Sequence, residues 1–162
     1  MRFDDLSKNT IRIIQEILKN DNLLKYIYYT QKTPLEQSDF TEKEKNDLVY
    51  TKIVPAPFDE QIVKEEQNEL RLFFAEGSTE NRKVLEIMLA FQIITHASLW
   101  PIHVNNEMRI RTYEIMKEIV NTFEDKKIQG IGTIKFNERF VYRHISERHG
   151  AYELLADITT FG

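Results

Sequence analysis

Four histidines are the side chains best suited to chemistry at neutral pH in this chain, because an imidazole exchanges protons near that pH and ligates metals. His96 and His103 flank the only tryptophan, Trp100. They outline a small polar pocket, against which stands the plainer reading of loop histidines satisfied by backbone. His144 and His149 stand five residues apart across an expected turn. That is not the i,i+4 pair by which a helix face grips zinc, and neither an HExxH segment nor a third ligand in register accompanies them. No metal is expected. Gly130-Ile-Gly132 lacks the third glycine of a dinucleotide-binding turn and precedes a strand where such a turn follows one, so it is read as a backbone device. The paired acids Asp59-Glu60 and Glu65-Glu66 lie in polar stretches where solvation is the ordinary fate of a carboxylate. No nucleophile-elbow, P-loop or kinase signature occurs, and no Ser, His and Asp fall into an order that defines a triad. Catalytic and cofactor-binding residues are therefore none, and the expectation is a protein that is not an enzyme.

Composition narrows the class further. The chain has 162 residues, 41% hydrophobic and 30% charged, which fits one folded domain over 1–162 and excludes wholesale disorder. Its net charge of -4 gives no global pull toward nucleic acid or anionic lipid. The cations Lys126, Lys127, Arg139, Arg143 and Arg148 are diluted by neighbouring acids and read as a solvated face. Zero cysteines excludes disulfides and every thiolate site. The first residues show no secretory h-region and no window approaches a membrane span, so a cytosolic origin without membrane contact is the default.

The elements that would position any site follow from periodicity. Leu6, Thr10, Ile13, Ile14, Ile17 and Leu18 recur at helical spacing and predict an N-terminal helix over 4–20 that stops at Asn20-Asp21-Asn22. The tyrosine-rich 23–29 segment is open between a helical turn and a strand. Residues 31–68 read as extended arms and loops, polar over 31–46, strand-like over 48–54 and polar again over 59–68. A sheet, a helix and a second sheet segment are expected over 69–161. Segments 69–75 and 84–95 form a hairpin whose second strand is central: Leu85, Ile87, Leu89, Phe91 and Ile93 make a wholly apolar face, and the opposite face is mixed. After a loop carrying Trp100, Asn105 or Asn106 caps a helix over 106–123 with an apolar stripe of Ile110, Tyr113, Met116, Ile119, Val120 and Phe123. Gly130-Ile-Gly132 then turns the chain into two closing strands, 133–145 and 151–161, the first bulged near Asn137-Glu138-Arg139. The fold class is α+β: a mostly antiparallel sheet of four to five strands, flanked by the two helices and carrying long polar loops.

The succession of Leu85 through His96, then Leu99-Trp100, Met108-Arg-Ile-Arg111, Gly130-Ile-Gly132 and His149-Gly150-Ala-Tyr152 resembles the tail terminators and related neck, or head–tail joining, proteins of long-tailed bacteriophages. The similarity spans about residues 70–161 and its motifs are short. It implies a virion protein assembled in the host cytoplasm: a homo-oligomeric, commonly hexameric ring that caps the tail tube and meets the neck or head-completion protein. DNA would pass its lumen without specific binding, which acidic lumen residues would favour. In such a ring 59–68 is either an arm reaching a neighbour or a mobile loop. The alternatives are a portal-side head-completion adaptor and, from a different class, a small dimeric regulatory module. Interface candidates follow from large aromatics in loops or at strand ends: Phe40, Phe58, Trp100 and Tyr152, with core burial the competing reading for the last two.

Overall fold

The computed structural model describes residues 2–57, 65–80 and 83–159. Phe58 and most of the 59–68 arm lie outside them. The first helix is α1 (Leu6–Ile17), entered through a single 3-10 turn at Phe3–Asp5 and buried along Ile13, Ile14 and Ile17. Asn20 does more than stop it. Its side chain accepts from the Leu23 N–H and caps α2 (Asp21–Tyr28), so the open 23–29 segment is helical.

The 31–46 stretch holds more structure than a surface excursion. A 3-10 turn at Pro34–Glu36 is followed by α3 (Glu42–Asp47), started by a capping box in which Thr41 and Glu44 each satisfy the other's backbone N–H. Of the expected 48–54 strand only β1 (Ile53–Val54) forms, because Tyr50 takes a φ of 66° and turns the chain back on itself.

The main sheet has six strands: β1, β2 (Asn68–Glu80), β3 (Lys83–His96), and, after an excursion, β6 (Lys127–Ile128), β7 (Gly132–His144) and β8 (His149–Thr159). Their spatial order is β1-β2-β3-β8-β7-β6, with β1 parallel to β2 and every other pair antiparallel. The sheet is thus larger than four to five strands and not purely antiparallel, since two-residue strands at both edges leave almost no trace in the hydrophobic pattern. β3 is central as expected, and Ile87, Leu89, Phe91 and Ile93 are buried beneath the helices. Register shifts at Phe136/Phe140 place the bulge of β7 where Asn137-Glu138-Arg139 predicted it.

The excursion is a separate hairpin, β4 (Pro101–Val104) with β5 (Glu107–Ile110), turned by Asn105 and Asn106 at φ 51° and 64°. The two asparagines are hairpin-turn residues and not a helix cap, a role open to Asn because its short polar side chain tolerates the left-handed region. The helix α4 (Arg111–Phe123) therefore begins later than expected, and its buried face is rotated to Ile115, Ile119 and Phe123, leaving Tyr113 exposed. Phe91 packs against both Phe123 and Phe136, at centroid distances of 5.2 and 5.9 Å.

Arg111 locks α4 to the rest of the helical layer. Fully buried, it donates to the carbonyls of Leu99 (2.7 Å), Tyr26 (2.9 Å), Tyr29 (2.6 Å) and Gln31 (2.8 Å). Two of these acceptors, Tyr26 and Tyr29, lie at the C-terminal end of α2, where carbonyls lack helical partners and the helix dipole favours a cation. No helix among the described residues is long and apolar enough to cross a membrane.

Candidate functional site

Tyr152 sits half-buried on β8 with four other aromatic rings around it. Around it lie Tyr142 at 5.3 Å, Tyr113 at 5.5 Å, Phe140 at 5.9 Å and Trp100 at 6.5 Å, measured between centroids. Each arrives by a different local rule. Tyr142 faces Tyr152 through the β7–β8 register, and Phe140 is two residues along on the same face. Tyr113 projects from the first turn of α4, and Trp100 is held by its indole N–H donating to the Thr95 carbonyl at 3.4 Å. Gly150 leaves the room: a Cβ there would stand 2.9 Å from the Tyr142 ring and 3.2 Å from Trp100.

The group is apolar in body and wet at its rim. Phe140 is 58%, Tyr142 49% and Tyr113 48% exposed, three of the largest open apolar side chains among the described residues. Tyr113 and Tyr152 share a hydroxyl hydrogen bond of 3.1 Å. That bond, with desolvation second, pushes the Tyr152 phenol up to about 12. A contiguous aromatic surface of this kind, rimmed by hydroxyls, has the composition of an interface centre.

The four sequence candidates are thus divided. Trp100 and Tyr152 belong to one patch. Phe40 stands elsewhere, stacked on Tyr29 and edge-on to Tyr28, each at 5.4 Å, where it ties the 31–46 stretch to α2. Phe58 is outside the described residues. Tyr113, Phe140 and Tyr142 were not singled out from sequence, although the even spacing of Phe140 and Tyr142 opposite Tyr152 in a hairpin carries the signal.

The histidines pair differently from expectation. His96 lies opposite His149 in the β3–β8 register, with ring centroids 4.9 Å apart, while His103 sits on β4 with its backbone N–H donating to the Lys32 carbonyl. His149 bridges the Ser146 hydroxyl and the Glu65 carbonyl, and His96 contacts Ser98, whose hydroxyl donates to Glu66. In this order the serine stands between carboxylate and imidazole and gives its proton to the acid, so the cluster pins residues 65–66 to the ends of β3 and β8. Among the described residues no three His, Asp or Glu side chains converge as metal ligands.

On the opposite sheet face charges are paired in place: Arg71 with Glu69 at 2.9 Å, and Glu153 with both Gln92 at 2.8 Å and Arg143 at 3.1 Å. Lys126 is likewise held by Glu16 at 2.6 Å, which keeps the Glu16 carboxyl below its ordinary range, its Lys126 hydrogen bond being the largest cause. The family model YomW, of a family derived from a Bacillus phage, matches residues 20–158. No curated protein matches the chain.

Proposed function

Because the chain belongs to the YomW family, we propose that it is a non-enzymatic phage virion protein, a homo-oligomeric ring at the head–tail joint that caps the tail tube and meets the neck. The aromatic face around Tyr152 carries this reading. Three of its rings are about half exposed in the isolated chain, a state that subunit contact relieves by removing apolar surface from water. A net charge of -4 suits a lumen through which DNA slides without being held. Symmetry would multiply modest contacts around the ring.

The test is the native mass over a concentration series by light scattering, with negative-stain images of any large species. A hexameric ring is the expected result. A dodecamer would move the protein to the portal side as a head-completion adaptor, and a stable dimer would overturn the ring in favour of a regulatory module.

A further inference from the structure

Tyr50 stands in the left-handed region at φ 66°, where an L side chain crowds its own backbone and a bulky residue is a genuine outlier. Among the described residues the other non-glycine positions with positive φ are Asn105, Asn106 and Asp125, types that tolerate this conformation. The turn around Tyr50 is firmly held. Leu48 and Ile53, both buried, anchor it, and the Leu48 carbonyl accepts from the N–H groups of Thr51, Lys52 and Ile53 at 3.2, 2.8 and 2.9 Å. The Tyr50 N–H donates to the Ile53 carbonyl at 2.9 Å.

The side chain gains nothing from that turn. Its relative exposure is 68%, and among the described residues it makes neither a ring contact nor a hydrogen bond. A large ring that strains its backbone and packs on nothing in its own chain points to a contact outside the chain. Its place is informative too. Tyr50 leads into β1, one edge of the sheet, whereas Phe140 and Tyr142 lie on β7, close to the other edge. Four strand spacings separate β1 from β7, about 19 Å measured across the sheet.

We infer that Tyr50 of one copy inserts into the aromatic face around Tyr152 of the next, as the knob of a head-to-tail contact; this rests on the ring reading above. A knob and a patch near opposite edges engage different surfaces of each copy, which is the heterologous arrangement that closes into rings. The half-exposed rings of Phe140, Tyr142 and Tyr113 offer faces and edges to a further ring, and a phenol carries its own hydroxyl to their wet rim. Charge agrees. The exposed charge nearest Tyr50 along the chain is Asp47, and the one beside Phe140 is Arg139; neither stands in an ion pair among the described residues. Patch against patch, the two-fold alternative, leaves Tyr50 without a role.

Tyr50→Asn separates assembly from folding, because asparagine accepts the left-handed turn while the ring is removed. Below the assembly midpoint, the full-length variant is expected to melt at or above the temperature of the unmodified protein. Light scattering is expected to show its midpoint raised roughly tenfold or more, with Tyr50→Phe close to the unmodified chain. Phe140→Ser/Tyr142→Ser keeps the knob and lacks the patch. Mixed with Tyr50→Asn at concentrations where the unmodified protein assembles, it is expected to give a 1:1 heterodimer that grows no further. Tyr50→Asn that assembles like the unmodified chain, melts lower below the midpoint, or fails to pair with the patch variant would overturn the knob and leave the ring standing. Absence of rings in the unmodified protein would remove the ring reading and this contact with it.

Discussion

Arg111 and Tyr152 show two ways in which a single side chain organises this molecule. Arg111 is a buried cation with no carboxylate partner among the described residues, so its charge is balanced by four carbonyl dipoles, and burial draws its pKa down to about 10. Arg111→Met removes the guanidinium donors from all four carbonyls, of which, among the described residues, only Tyr26 keeps another, the Asn68 amide at 3.5 Å. We expect a loss of about 3–5 kcal/mol, read as a lower urea midpoint, with Arg111→Lys recovering part of it because an ammonium reaches fewer of the carbonyls. Tyr152 has its phenol raised to about 12 from an ordinary 10, by the Tyr113 hydrogen bond before any other cause. For a raised acid, the associated stability is whole below about pH 10 and is lost as pH climbs toward 12. Tyr113→Phe should bring the tyrosinate absorbance of Tyr152 to lower pH and remove that part of the alkaline stability loss. Tyr26, also raised to about 12 but chiefly by burial, should titrate late in both proteins.

At the level of elements, long apolar patterns were legible and short polar ones were not. The faces of β3, the bulge of β7 and the turn through Gly130 and Gly132 could be read because two-residue alternation and glycine leave local marks. Gly130 takes a φ of 80°, and its carbonyl receives the buried Asn9 amide at 3.1 Å, which docks α1 on the β6–β7 turn. Asn9→Ala removes that donor, and we expect about 1–3 kcal/mol lower stability in chemical denaturation. By contrast, Asn105-Asn106 suits a helix cap and a hairpin turn equally well, and only the pairing of β4 with β5 decides between them. The capping box at Thr41 and Glu44 lies in a stretch that its polar composition marks as an extended loop. Thr41→Ala should speed amide exchange across 42–47 while the global melting transition stays in place, since α3 buries no residue. Two of the five rings of the candidate site were legible, since Trp100 and Tyr152 stand out as aromatics near turns, but their company depends on strand register and on where α4 begins.

Considered whole, the chain has a sheet with a helical layer on one side, edge strands of only two residues and an aromatic face on β7 and β8. These features converge at β7, where Phe140 and Tyr142 project from a stretch that, among the described residues, is paired with β8 on one side only. An assembly surface predicts that losing these rings leaves the monomer fold nearly untouched, because about half of each is already in water. The decisive measurement is sedimentation of the full-length protein beside its Phe140→Ser/Tyr142→Ser variant, with the melting temperature of each taken in parallel. The ring account predicts a large, discrete species for the unmodified chain and a monomer of nearly unchanged melting temperature for the variant. It is contradicted if both sediment alike, or if the variant loses assembly only because it no longer folds.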